Sequence, residues 1–236
     1  MITVTPVAIL SDNYAWLVRD EESGCLAVVD PAEAGPIEAA IDAAGGKLDM
    51  ILLTHHHGDH IAATEDIRAR YSAPVIGARA DKQRLPKLDR EVWEGSEVDL
   101  GASTARVFET PGHTRGHISF YFPPDPAAGT GVLLCGDTLF SLGCGKLLEG
   151  TAQEMFTSLM KFAALPGDTL VCCGHEYTES NARFARHADP ENLDLLAYAD
   201  RVAELRAMGL PTLPSKLSDE LECNPFLRAP DAATLA

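Results

Sequence analysis

Residues 54–60 read THHHGDH and set four imidazoles and a carboxylate side by side. Imidazole nitrogen and carboxylate oxygen are the donors that zinc, iron and manganese accept. Residues two apart on extended backbone point the same way, so His55 and His57 can reach one ion together. Asp59 and His60 follow where a helix could begin, and they face a slightly different point. A tetrahedral zinc takes about four ligands. This run and the later candidates exceed that number, and two adjacent divalent ions account for the excess. A tag or low-complexity tract would sit at a terminus and would not alternate with Gly and Asp behind an apolar run.

Three more candidates lie far along the chain. His113 stands in Thr110-Pro111-Gly112-His113-Thr114, where Pro-Gly forces a turn after a predicted strand. Asp137, in Gly136-Asp137-Thr138, ends the apolar strand predicted over 132–135, and His175, in Gly174-His175-Glu176, ends another over 170–173. Alone, an Asp in such a turn is an ordinary turn residue, and Gly-His says little more. All of them, however, sit just past strand ends, as does the first cluster after the apolar run 50–53. Strand ends along one edge of a sheet converge readily into one site.

The elements that must position these groups follow from periodicity and turn chemistry. Strands are predicted over 2–10, 14–19, 25–30, 48–53, 74–77, 96–100, 105–109, 118–122, 132–135 and 170–173. Helices are predicted over 37–44 and 61–71, and from the capping box Thr151-Ala152-Gln153-Glu154 to about 165. Residues 81–93 read as charged and mostly exposed. Beyond 176 the pattern turns helical, over 179–187 and 193–208, with a proline-punctuated turn over 211–216. Two units are therefore expected: 1–176, carrying every candidate ligand, and 177–236, helical.

Composition narrows the function. The chain has 236 residues, 46% of them hydrophobic and 23% charged, which are globular values. A formal charge of −16 disfavours nucleic acid and anionic membranes, both of which need clustered Lys and Arg. No run approaches the roughly 20 apolar residues of a membrane span, and no leader is evident at the N-terminus. Six cysteines without paired C-x-x-C spacing fit reduced thiols in the cytoplasm. A monomer acting on a small molecule is expected.

The motif THxHxDH resembles the signature of the metallo-β-lactamase superfamily. Gly143-Cys144-Gly145-Lys146 with Glu149-Gly150-Thr151, Gly174-His175-Glu176-Tyr177-Thr178, and Asn224-Pro225-Phe226-Leu227-Arg228 narrow the likeness. Over nearly the whole chain the sequence is similar to the glyoxalase II, or hydroxyacylglutathione hydrolase, family. The resemblance implies an α/β (α+β) fold, an αββα sandwich followed by a small helical domain that closes over the site. It implies one metal on His55, His57 and His113 and another on Asp59, His60 and His175, with Asp137 bridging. On the same resemblance His56 is expected to point away, His117 to orient a ligand or carboxylate, and Lys146, Tyr177 and the position of Leu148 to line the thiol-carrier pocket. Two divalent ions are expected, zinc first, with iron or manganese as alternatives.

Water between two such cations is acidified from a pKa of about 15.7 toward neutrality. A thioester suits this chemistry, because a thiol of pKa about 8.5 leaves without a strong general acid, and only Asp59 or the water itself offers one. Asp59 and Asp137 are the expected catalytic carboxylates. The resemblance implies hydrolysis of S-D-lactoylglutathione to D-lactate and glutathione, a step of methylglyoxal detoxification. Leu148 where the family has a tyrosine, Ala62-Ala63 where it has glycines, and Arg228 alone where the family tail carries further Arg and Lys lead us to expect a raised KM. A mononuclear-iron persulfide dioxygenase or a lactonase-like hydrolase of the same fold is the alternative.

Overall fold

The computed structural model describes residues 1–125 and 129–229. The last residues of the 177–236 segment, and part of the turn between the strands predicted at 118–122 and 132–135, lie outside the described residues.

Ten of the strands assemble from runs whose burial follows their apolar pattern. One six-stranded sheet holds β1 (Ile2–Ile9), β2 (Asn13–Asp20), β3 (Leu26–Val29), β4 (Met50–Leu52), β5 (Val75–Ala78) and β6 (Arg90–Val92) in that order. The other holds β7 (Glu97–Leu100), β8 (Ser103–Glu109), β9 (Ile118–Phe122), β10 (Val132–Gly136), β13 (Leu170–Cys173) and β14 (Ser215–Lys216) as neighbours in that order. β11 (Leu139–Phe140) and β12 (Gly143–Cys144) form a separate hairpin. Strands β3, β4 and β5 run parallel, as do β10 and β13, so their carboxyl ends gather at one edge.

Both sheets contribute to one apolar core, with Ile51 and Leu52 from one and Phe120, Leu133 and Val171 from the other among its buried members. Helices α1 (Ala34–Ala43) and α3 (Thr64–Tyr71) lie against the first sheet. α4 (Ala152–Ala163) lies against the second through Met155, Leu159 and Phe162, with the Phe162 ring 6.5 Å from that of Phe108. Thr151 and Glu154 form the expected capping box at its start. Helices α5 (Thr178–Ala188), α6 (Leu193–Ala207) and α7 (Leu217–Cys223) share a smaller apolar cluster that also takes in Leu142.

Four local readings change. The helix predicted over 61–71 is broken into α2 (Gly58–Ile61) and α3, because the Ala63 amide donates to the Pro31 carbonyl (3.1 Å) instead of continuing the helical ladder. The stretch 81–93 contains β6 and the buried Asp81, Leu85 and Val92; its charged neighbours mask a single inward row. The turn at 211–216 ends in β14, which pairs with β13 and so ties the C-terminal segment into the second sheet. Helix α7 presents Leu217, Glu220 and Cys223 inward, and a buried Glu in that row hides the apolar period.

Asp20 shows how the loops at the far edge are held. Its buried carboxylate accepts from Ser23 N–H (3.1 Å) and Oγ (2.5 Å), Ala102 N–H (2.9 Å) and Ser103 Oγ (3.0 Å). Burial alone would raise its pKa, but these donors outweigh it and hold the carboxyl well below the usual range. The linkage therefore gives stability that is full above the unfolded carboxyl pKa of about 3.9 and lost as pH falls through the lower folded value. Asp20→Ala is expected to cost about 3 kcal/mol at neutral pH, and far less at the acid end of the series. A denaturant-melt series across pH checks this; an equal loss at every pH would show that the donors do not depend on the charge.

Candidate metal centre

Every predicted ligand is carried to one edge of the two sheets by the end of a strand. β4 delivers residues 54–60, β8 the turn holding His113, β10 delivers Asp137 and β13 His175. His55, His57 and His113 bring ligand atoms within 4.8 Å of one another, and so do Asp59, His60 and His175. His57 Nδ1 is 3.0 Å from both His55 Nε2 and His113 Nε2. His60 Nε2 is 3.3 Å from His175 Nε2. Asp137 stands between the groups: Oδ2 is 3.4 Å from both His113 Nε2 and His175 Nε2, and Oδ1 is 3.4 Å from His60 Nε2.

The outward ring nitrogens decide what the inward ones offer. His113 Nδ1 donates to the Lys146 carbonyl (2.8 Å), His60 Nδ1 to Asp30 Oδ2 (3.0 Å) and His175 Nδ1 to Asp12 Oδ1 (3.0 Å). Thr54 Oγ1 gives its proton to Asp30 Oδ2 (2.6 Å) and so accepts from His55 Nδ1 (3.0 Å). In its neutral, ligating form each of these four rings therefore turns an Nε2 lone pair into the site. The lone pairs of His60 Nε2 and His175 Nε2, 3.3 Å apart, repel unless a cation lies between them, and a proton on His57 Nδ1 could serve only one of the two nitrogens, of His55 and His113, that face it at 3.0 Å. Asp137 Oδ1 is buried and has no hydrogen-bond donor, so it too offers free lone pairs. The donor set fits divalent cations.

The electrostatics agree with that chemistry. Burial and neighbouring imidazoles lower the pKa values of His55 and His57, which favours the neutral, ligating form. Burial opposes charge on His60 and His175, yet Asp137 raises both, while those rings hold its own carboxyl well below the ordinary range. A charge-neutralising role for protons here is one that a metal ion takes over.

Three residues of the site were not among the sequence candidates. Asp30, in the left-handed region (φ 53°), accepts from Thr54 N–H (2.8 Å), Thr54 Oγ1 and His60 Nδ1. With its oxygens so occupied it orients ligands rather than adding a third ion site. Asp12 holds His175, and the Asn13 amide donates to Asp59 Oδ2 (3.1 Å). Only the position of Asp30 at the end of a strand, and the turn at 11–13, pointed to them.

The remaining candidates divide. His56 turns away, with Nδ1 2.8 Å from Asp81 Oδ2. His117 Nε2 accepts from the Asp137 amide (3.1 Å), and its ring stacks on His55 at 4.8 Å. Tyr177 stacks on His175, with centroids 4.6 Å apart and planes at 9°. Lys146 reaches the cluster through its backbone carbonyl, while its side chain and that of Leu148 are exposed on the same loop. That loop is pinned by Glu149, which pairs with Arg84 and accepts from Arg115 N–H (2.9 Å).

Comparison with known proteins places this arrangement. A model described as the Metallo-beta-lactamase superfamily matches residues 9–175, and one described as the Hydroxyacylglutathione hydrolase C-terminus matches 176–236. A protein of Acidiphilium cryptum (strain JF-5) named hydroxyacylglutathione hydrolase is 53% identical over 234 residues, covering 99% of this chain and 93% of that protein. In fold, the chain is similar to the BLEG-1 B3 metallo-beta-lactamase, with a TM-score of 0.70 at 22% identity over 96% of this chain and 99% of that one. The crystal structure of TTHA1623 in a di-iron-bound form gives a TM-score of 0.61 at 28% identity, over 72% of this chain and 91% of that one. With both halves matched and half its residues shared with a full-length relative, this chain belongs to the hydroxyacylglutathione hydrolase family of the metallo-β-lactamase superfamily.

Proposed function

We propose that the protein is a hydroxyacylglutathione hydrolase, a monomeric thioester hydrolase that converts S-D-lactoylglutathione and related 2-hydroxyacylglutathiones to the hydroxy acid and glutathione. The observation that carries the reading is one buried carboxylate, Asp137, shared between two convergent ligand groups. His55, His57 and His113 would hold one divalent ion, Asp59, His60 and His175 the other, and Asp137 both. A pair of divalent ions held there would supply an acidified water at neutral pH and a Lewis acid for the thioester carbonyl.

The chain's own residues do the rest. The fixed tautomers of His55, His60, His113 and His175 keep the donors aimed without reorganisation. Asp59, about half exposed and held by Asn13, is the carboxylate placed to accept and pass on a proton at the open side. Its carboxyl is lowered; burial opposes this, but His60 and the Asn13 amide prevail, so it is ionised at neutral pH. We assign metal binding to residues 1–176 and thiol-carrier binding to 177–236 together with the 146–148 loop, with Tyr177 and Lys146 as contacts and Leu148 offering only apolar surface.

Zinc is the assigned metal, iron the alternative, and the di-iron form of a structural relative supports a pair of ions. The six thiols are all free, which supports a reducing, cytoplasmic setting. No helix among the described residues is long and apolar enough to cross a membrane. A single-iron dioxygenase reading would leave Asp59, His60 and His175 converged with nothing to hold.

Metal analysis with thioester kinetics tests the proposal. Two ions per chain and hydrolysis of S-D-lactoylglutathione that is lost on chelation are expected; one ion with oxygen uptake would overturn it. Lys146 has no ion-pair partner among the described residues, so Lys146→Ala is expected to raise KM roughly 3- to 10-fold with kcat little changed, the size of one exposed charge contact. A fall in kcat at constant KM would remove Lys146 from substrate binding.

A further inference from the structure

The motif Asn224-Pro225-Phe226 has no part in the chemistry above, yet its first residue is completely buried. Asn224 Oδ1 accepts from Phe226 N–H (3.0 Å), which fixes the amide so that Nδ2 points away from its own turn. Nδ2 then donates to the carbonyls of Phe140 (3.1 Å) and Gly143 (3.0 Å), at the two ends of the β11–β12 turn, and lies 3.1 Å from Glu220 Oε2. The same Oε2 accepts from Leu142 N–H (2.8 Å), and Asn181 Nδ2 donates to the Ser141 carbonyl (3.0 Å). Leu142 adopts the left-handed region (φ 57°), where a non-glycine residue is held only by its surroundings. The turn is thus shaped by side chains from the C-terminal segment.

What the turn positions lies on its other side. Immediately after it, Gly145 N–H donates to the Thr138 carbonyl (3.1 Å), and a Cβ at Gly145 would come within 1.9 Å of the Asp137 carbonyl oxygen. The next carbonyl, that of Lys146, accepts from His113 Nδ1 (2.8 Å). Only Cys144 and Gly145 separate Gly143 from Lys146, whose carbonyl sets the His113 tautomer, and Gly145 fits against the backbone of Asp137 without spare room.

We propose that Asn224 is a positioning residue for the metal centre: by gripping the Phe140 and Gly143 carbonyls it sets the turn that delivers the Lys146 carbonyl to His113. The inference rests on the binuclear reading above, and it makes the C-terminal segment a determinant of metal affinity as well as of substrate binding. Asn224→Asp keeps size and the bond from Phe226 but puts a carboxylate oxygen against two carbonyls and Glu220. The turn loses its grip and His113 loses its fixed tautomer.

The test is zinc binding to the purified full chain, read by competition with a chromophoric chelator and independent of turnover. Asn224→Asp is expected to weaken one of two zinc ions about 10- to 100-fold, as removal of a ligand's orienting partner does, and to leave the other near wild type. The His113 Nδ1–H resonance of the zinc-loaded protein should shift or broaden, while that of His60 stays in place. Should Asn224→Asp fail to fold, Asn224→Ser, which keeps one donor, is expected to show the same one-site weakening to a smaller degree. Two wild-type zinc affinities in a folded variant, with only the melting temperature lowered, would overturn the proposal and leave Asn224 a structural residue. Loss of thioesterase activity in the wild-type protein would count against the function and leave this measurement intact.

Discussion

Asp137→Ala is expected to lower kcat/KM for S-D-lactoylglutathione by more than about 10³-fold, corresponding to about 4 kcal/mol of lost transition-state stabilisation. The size follows from how many contacts one residue makes. Its Oδ2 is equidistant, at 3.4 Å, from ring nitrogens of both ligand groups, and its Oδ1 faces His60 at the same distance. On the proposed two-ion reading, removing it takes a ligand from each ion, together with the buried carboxylate that faces both His60 and His175. Asp137→Asn keeps one carbonyl oxygen and is expected to retain one ion per chain with partial loss of rate. Metal content and kcat/KM measured on the same preparations check both variants. Two tightly held ions and near-normal turnover in Asp137→Ala would mean that the two groups do not share a ligand.

That expectation was accessible from sequence because ligand donors come from few residue types, and each stands behind an apolar run. His55, His57, His113, Asp137 and His175 follow β4, β8, β10 and β13; burial is nearly continuous along β4, β10 and β13, and β8 alternates before its buried Val107 and Phe108. The partners that aim them were not accessible. An Asp at the end of a strand, such as Asp30, has the composition of any turn, and its role appears only when Thr54 and His60 fold onto its carboxylate. Lys146 was legible as a side chain beside glycines, whereas its carbonyl, which no residue type reveals, is what touches His113. The fold divides the same way. Long apolar or capped segments were legible, whereas β6, β14 and α7 take their order from neighbouring strands and a buried Glu220, so local pattern could not show them.

Glycine spacing around Asp137 is a constraint of this second, tertiary kind, and it yields the other large effect. Gly174 sits between β13 and His175, where its N–H donates to the Gly136 carbonyl (3.0 Å) and its carbonyl accepts from Tyr14 N–H (2.8 Å). An added Cβ would lie 2.5 Å from Asp137 Oδ1 and 2.6 Å from His60 Cε1, both side-chain atoms. The backbone can therefore keep its bonds, and the displacement falls on two ligands. At Gly145 the obstacle is a backbone oxygen at 1.9 Å, so alanine there would move the chain itself and endanger folding. Gly174→Ala is expected to fold and to lose about 10²-fold in kcat/KM, the cost of misplacing reacting groups by about 1 Å. Weaker metal binding should appear first in the Asp59, His60 and His175 group. Gly35→Ala is the control: nothing lies within 4 Å of its added Cβ in α1, far from the ligands, so activity should hold, while Pro36 after it disfavours a Cβ in helical backbone and cancels the usual gain in stability from replacing glycine. Kinetics, metal titration and melting temperature on the two variants separate the cases. A fully active Gly174→Ala would show that Asp137 and His60 have room to yield, and that close packing is not what fixes the distance between the two ligand groups.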